Sequence, residues 1–397
     1  MSDETVGDEA RFAGLSYPTA MLLVTSLGWI VIQTGRYLLP PLVSAIQEAF
    51  AIGNAKFGFA LSLIWAVYAV SQFPAGLASD DLGYRTTLVA SLAVVGVAFA
   101  AFALAPTYGV WLVLLAVVGV CTGVFLISSR AYLSALYGGE RGRALGIHSA
   151  AGDVAGVAAP LLATAVLAAT VWWLPFLGLF ALAALGAVVL HAGVEGSYSF
   201  RRPEVGPTAR EAVGAVASWD LLVLMVVYGL YVMVTQGTAA FVPKYLTATK
   251  GLSTGVANTV FSLFFLMGVV AKPAAGWASD RVGRRLLTVG ALLGGGAALA
   301  AATALQGLAS AAAIIVFAAS VRFFPTPTQA YLFDRFDEAT SGSSFGLIRS
   351  GYILVGSSGP ALVGVGSVEL GFGTTLLALA GVLLVAATAL WILMRGE

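Results

Sequence analysis

The chain has 397 residues, 59% of them apolar and only 10% charged, against roughly 25% charged in an average soluble domain. A soluble protein of this length needs far more polar surface, so the composition specifies an all-α polytopic membrane protein. The net charge of +1 carries no nucleic-acid signature, and Cys121, the single cysteine, excludes an intrachain disulfide and leaves no metal or redox argument.

The chain opens on MSDETVGDEARF, which is acidic and lacks the basic segment of a signal peptide. Residues 1–16 are expected to be a short disordered cytoplasmic tail. A helix needs about 20 residues to cross about 30 Å of hydrocarbon, and the apolar runs meet that length twelve times. The first six run from Tyr17 to Leu42, Phe57 to Ser79, Thr86 to Ala105, Tyr108 to Tyr137, Ala144 to Ala168 and Trp172 to His191. The second six run from Leu221 to Leu246, Ala257 to Ser279, Leu286 to Leu305, Ala311 to Phe333, Phe345 to Val365 and Phe372 to Met394. The fourth and tenth are long, as a tilted helix or one extended into the cytoplasm would be.

Between the sixth and seventh spans lies the largest polar interruption, with Arg201, Arg202, Pro203, Pro207 and Arg210. Residues 194–219 therefore read as a linker between halves at 17–193 and 220–395, with a short surface helix expected from Thr208. An even number of spans puts both termini on one side. Placing them inside gives the cytoplasmic segments twelve arginines, among them Arg85, Arg141, Arg143, Arg281 and Arg335. The outer loops keep Lys56 and Lys250, with Lys244 near an outer rim. That asymmetry predicts cytoplasmic termini.

GLASDDLGYR (Gly76 to Arg85) returns as GWASDRVGRR (Gly276 to Arg285), offset by 200 residues. Gly146, Gly156, Pro160 and Leu162 match Gly346, Gly356, Pro360 and Leu362 at the same offset, and Ala131-Tyr132-Leu133 matches Ala330-Tyr331-Leu332 at 199. The halves are copies that both start inside, so they are parallel repeats about an axis along the membrane normal. In the decamer, Gly83 suits a positive φ, and Asp80 is placed to cap the following helix.

Gly76, Asp80, Gly83 and Arg85, with Gly276, Asp280, Gly283 and Arg285, resemble the signature loop between helices two and three of the major facilitator superfamily. The resemblance covers Tyr17 to Met394. It departs from the pattern at Asp81, where a basic residue is usual and the second copy has Arg281. It implies twelve transmembrane helices in two six-helix repeats, with the loop acting as a cytoplasmic latch; a loop that only fixes the turn is the plainer reading. Gly156 to Pro160 and Gly356 to Pro360 loosely resemble the family's helix-five Gly-Pro motif, although only Gly359-Pro360 is a true pair. They are soft points for kinking and close packing.

Ionisable residues inside spans are costly and are site candidates by default. Here they are Arg36, Arg130, His148, Asp153, Lys244, Lys272, Arg322 and Arg349. In the family, helices one, four, seven and ten line the cavity and two, five, eight and eleven flank it, which the uneven charge matches. Leaving aside Lys244 and His148, five cations against one deep carboxylate create a positive potential that favours an anionic ligand, and arginine offers a rigid fork for carboxylate or phosphate.

Arg36, beside Tyr37, and Arg322 are the first candidates for an anion clamp; a helix-packing ion pair is the alternative for Arg36, and Arg322 has no acidic residue nearby in sequence until Asp334. Gln236 and Lys272 complete the candidate binding set, and Gln33, Tyr68, Tyr132 and Tyr331 are polar or aromatic candidates for the lining. Arg130 reads as a gate residue, partnered by Asp80, or as an anion contact. Arg349 reads as a second anion contact or a snorkelling side chain. Asp153 is either a proton site or a fixed ion pair to an arginine, and His148 is a second titratable candidate.

The expectation is a secondary transporter of a small organic anion, a carboxylate or sugar acid, working by alternating access and coupled to protons. No cofactor, metal, nucleic acid or enzymatic activity is expected, and the chain is expected to be a monomer in the lipid of the cell membrane. Exchange of phosphate esters, drug–proton antiport and a non-transporting sensor or scaffold remain open alternatives.

Overall fold

The computed structural model describes residues 11–12, 14–167, 171–195, 198, 218–335 and 341–395. The side chains of Asp80 and Asp280 lie outside the described part, as does the short helix expected from Thr208. Among the described residues, twelve helices are long and apolar enough to cross a membrane. The first half contains α1 (Tyr17–Tyr37), α2 (Asn54–Gly76), α3 (Asp81–Phe102), α4 (Tyr108–Tyr137), α5 (Arg141–Val166) and α6 (Leu174–Gly193). The second contains α7 (Trp219–Ala248), α8 (Thr254–Ser279), α9 (Arg284–Ala304), α10 (Gly307–Phe333), α11 (Phe345–Glu369) and α12 (Phe372–Leu393). With twelve spans, the start of α1 and the end of α12 lie on the same face of the bundle, here the termini face.

Local chemistry sets the helix starts. The hydroxyls of Thr107, Ser218 and Ser253 accept hydrogen bonds from the backbone N–H of Val110, Leu221 and Val256, satisfying donors left open in a first turn. Ahead of α1, Arg11–Phe12 pairs antiparallel with Leu15–Ser16, so the end of the expected disordered tail is instead a small hairpin.

The repeated turn is tighter than the capping expectation. Helical backbone continues through Asp80 and Asp280 and breaks only at Gly83 and Gly283, with φ of 79° and 90°. The helical backbone runs past the membrane-spanning parts of α2 and α8, Asp80 and Asp280 sit in its last turn, and Gly283 is itself the N-cap of α9. The left-handed backbone ends the helix, so no acidic cap is required.

Helix breaks also differ from the expected spans. α1 stops at Tyr37, and the chain turns through Pro40-Pro41 into a separate helix, Val43–Phe50. α10 is interrupted after Arg322 and restarts at Pro325. α11 is interrupted between Gly356 and Gly359, whereas α5 runs unbroken through Pro160. The first copy carries Val-Ala-Ala before its proline and the second Ser-Ser-Gly; the weaker helix formers break where proline removes a hydrogen bond.

The halves meet along two seams, α2 with α11 and α5 with α8. Toward the face opposite the termini, Gly58 and Gly364 let α2 and α11 touch backbone to backbone: a Cβ on Gly364 would lie 2.5 Å from the Asn54 carbonyl oxygen. Asn54 Nδ2 donates to Ser367 Oγ at 2.9 Å across this seam. On the second seam Asn258 Nδ2 donates to Thr164 Oγ1 (2.9 Å) and Ser262 Oγ to the Val157 carbonyl (3.0 Å).

Candidate functional site

Arg36 occupies the last turn of α1, 5% exposed. Its Nη1 donates to Gln33 Oε1 at 2.9 Å, and Gln33 Nε2 donates to Tyr37 Oη at 3.0 Å, a chain built at i, i+3 and i+4 on one helix. The guanidinium lies 4.0 Å from the Trp65 ring centre and 4.9 Å from that of Tyr68, cation–π contacts that hold a charge without a carboxylate. Its Nε and Nη2 are buried without a protein acceptor. These two nitrogens form the side-on edge of the guanidinium, the geometry that grips a planar oxyanion through two parallel bonds. Beside them is a cavity of ≈ 30 Å³ whose lining includes Arg36, Tyr37, Trp65, Gln236, Phe265 and Pro360, wide enough for a water or one small oxyanion group.

Arg322 ends the first segment of α10, with its guanidinium 5.4 Å and 5.7 Å from the ring centres of Phe264 and Phe265. Tyr37 packs on Phe265 from the other half at 4.4 Å. Phe265 thus touches both the cavity at Arg36 and the Arg322 guanidinium, but Arg322 does not line that cavity.

Arg349 spans the halves. From α11 its Nη2 donates to Tyr68 Oη at 2.9 Å and its Nη1 to Gln72 Oε1. The snorkelling alternative is therefore wrong: the side chain turns inward because two acceptors of α2 meet it. Arg130 of α4 reaches Ser149 Oγ at 3.4 Å, with Nε unpartnered.

Asp153 pairs with Lys272 of α8 at 2.6 Å, and their side chains are 15% and 40% exposed. The counter-ion is therefore a lysine of the other half, not the arginine expected. His148, grouped with Asp153 on the sequence, is placed elsewhere. It is fully buried, with Nε2 3.0 Å from Ser129 Oγ and Nδ1 3.4 Å from Ser26 Oγ. Five residues apart on a helix, the two side chains leave in different directions. Lys244, expected on an outer rim, bonds to Gln47 Oε1 and to Asn54 Oδ1 (2.7 Å), and so ties α7 to the first half.

The signature-loop arginines are engaged within their own halves. Arg85 Nη2 donates to the His191 carbonyl (2.6 Å) and Arg285 Nη2 to the Trp391 carbonyl (3.1 Å), each 106 residues away. Both cap the C-terminal end of the sixth helix of the repeat, where carbonyls lack partners and a cation suits the dipole. A Cβ added to Gly76 would lie 4.0 Å from Ile127 Cγ2 of α4 and one added to Gly276 3.9 Å from Thr326 Cγ2 of α10, the same packing in both halves.

Trp65, Gln72, Gln47 and Asn54 escaped a search based on ionisable residues. An amide or indole within an apolar run carries no charge signal, and its function depends on a cation from a distant helix.

The Major Facilitator Superfamily profile matches residues 25–223 and again 224–397. Among curated proteins, the chain is 32% identical over 164 residues to the probable nitrate/nitrite transporter NarK2 of Mycobacterium tuberculosis, covering 40% of each chain. It is 26% identical over 293 residues to the fosmidomycin resistance protein of Escherichia coli, covering 68% of this chain and 69% of that one. Among solved structures, a bacterial homolog of the human lysosomal transporter Spinster superposes with a TM-score of 0.84 at 16% identity, covering 96% of this chain and 97% of that one. A D-xylose-proton symporter superposes with a TM-score of 0.77 at 15% identity, covering 95% and 98%.

Proposed function

The chain belongs to the Major Facilitator Superfamily, and from that premise we propose that it carries a small organic anion, a carboxylate or sugar acid, by proton-coupled alternating access. As a member of that family it is a multi-pass membrane transporter rather than an enzyme.

One observation carries the anion reading: the side-on edge of Arg36 is buried with no acceptor beside a small cavity at the junction of the halves. A buried N–H of a charged group without a partner is costly, and an oxyanion supplies two acceptors and the counter-charge together. The surroundings favour the same ligand. Among the described residues deep in the spans, Asp153 is the one carboxylate and Lys272 holds it, so Arg36, Arg130, Arg322 and Arg349 face no acidic side chain. Residues from both halves line the cavity, so a bound ligand would change partners as the halves rock. Gln236, Tyr37 and Arg322 are assigned supporting contacts in this reading.

Coupling is assigned to Asp153. An incoming anion competes with it for Lys272, and the released carboxylate takes up a proton, so anion and proton move together. The arginine asymmetry supports cytoplasmic termini and a cell-membrane location, with the signature loops as the cytoplasmic latch and the α11 break at Gly356 and Pro360 as a flexible point.

A second reading is an inorganic planar oxyanion. The ≈ 30 Å³ cavity favours it, as does similarity to a protein named for nitrate and nitrite. Counterflow in proteoliposomes loaded with acetate, lactate, gluconate or nitrate tests both. Uptake that Arg36→Gln reduces about 100-fold or more supports the site, since one charge-assisted bidentate contact contributes a few kcal/mol. Uptake of a cationic drug, exchange confined to phosphate esters, or no counterflow with any anion would overturn the reading.

A further inference from the structure

Resting on the anion reading above, we propose that the cargo is a dianion bridging Arg36 of α1 and Arg349 of α11, with a short dicarboxylate as the fitting class. Tyr68 connects these two cations. The Arg36 guanidinium lies 4.9 Å from the centre of its ring, and Arg349 Nη2 lies 2.9 Å from its hydroxyl. The guanidinium groups are therefore separated by little more than the length of one tyrosine side chain. They come from opposite halves, and both present their charge to neutral groups. Arg36 holds an amide oxygen of Gln33, and Arg349 holds an amide oxygen of Gln72 and the phenol of Tyr68.

Neutral acceptors are replaceable. A carboxylate brings a counter-charge and a bidentate fit to the guanidinium that an amide or phenol lacks. One carboxylate on the open edge of Arg36 leaves Arg349 uncompensated, and among the described residues Arg130 has no acidic partner either. Low dielectric around the pair makes that residual charge expensive. A second carboxylate on the same ligand, about four or five carbons along, reaches Arg349 by displacing Gln72 or Tyr68. The cavity of ≈ 30 Å³ then holds only the carboxylate group at Arg36, while the rest of the ligand runs along Tyr68. A phosphate ester concentrates both charges in one tetrahedral group and cannot reach both ends of the tyrosine.

The test is calorimetric titration and thermal shift of the purified full chain with butyrate, succinate, glutarate and glycerol 3-phosphate at constant ionic strength. Succinate or glutarate is expected to bind at least about tenfold tighter than butyrate. Arg349→Gln is expected to weaken the dicarboxylate at least about tenfold more than it weakens butyrate, whereas Arg36→Gln weakens both to a similar degree. Arg349→Lys keeps the charge and part of the preference, which separates loss of the contact from loss of the fold. Equal binding of butyrate and succinate by the wild type overturns the bridge while leaving the anion reading intact. So does a phosphate ester that binds tightest and is indifferent to Arg349→Gln. If none of these anions binds, the bridge fails.

Discussion

Asp153 of α5 and Lys272 of α8 meet at 2.6 Å across the seam between the two halves. The contact joins the one deep carboxylate to a cation of the opposite repeat, so relative motion of α5 and α8 strains it. With Lys272 40% exposed, solvent screens the pair and its loss costs about 1–2 kcal/mol, not the larger penalty of a sealed pair. Asp153→Asn is expected to abolish uptake driven by a pH gradient while counterflow continues. A variant that still accumulates substrate under a pH gradient would remove Asp153 from the coupling step.

His148 is expected to be structural. Both ring nitrogens face serine hydroxyls inside the first half, so His148→Leu takes the imidazole partner from Ser26 and leaves Ser129 with the Leu126 carbonyl alone, at a cost of about 1–3 kcal/mol. Thermal stability falls, but the pH profile of transport in the folded fraction stays that of the wild type. A displaced pH profile would return His148 to the proton pathway.

The glycine contact brings α2 and α11 backbone to backbone toward the face opposite the termini. Gly364→Ala places a methyl group 2.5 Å from the Asn54 carbonyl, an overlap of the kind that costs about 1–3 kcal/mol. The variant is expected to favour conformers open at that face. Thiol labelling of Ser367→Cys should rise in the Gly364→Ala background, and an unchanged labelling rate would count against the seam as a gate.

Arg285→Ala removes a cation from the last carbonyls of α12 and exposes the Trp391 ring on which its guanidinium stacks at 3.6 Å. The combined loss is about 1–2 kcal/mol, read as a lower melting temperature, with Arg285→Lys recovering part of it. Arg85→Ala is expected to act in the same direction through the carbonyl of His191. If neither alanine variant lowers the melting temperature, the arginines do not act as caps.

The spans, the parallel repeat and the glycines of both signature turns were legible because each is a local property. Hydrophobic length, a recurring decamer and a residue able to take positive φ need no partner. Asp80 shows where that ends. Its residue type suits a cap, but the backbone turn falls three residues later, and left-handed geometry at Gly83 ends the helix. Pro160 and Pro360 show the same limit, since matched prolines gave one continuous helix and one broken helix.

The sequence alone determined that this chain fills a membrane with twelve helices in two copies and hides an excess of positive charge among them. Charge and hydropathy are carried by each residue and survive any arrangement. Only the tertiary structure decided the pairings: Asp153 with Lys272, Arg349 with Tyr68 and Gln72, Lys244 with Gln47 and Asn54, and Arg36 with aromatic faces and an open edge. Those partners lie in different helices, most of them in different halves. Their meeting depends on helix rotation and on which helices share a seam, and both are set by packing across the whole bundle.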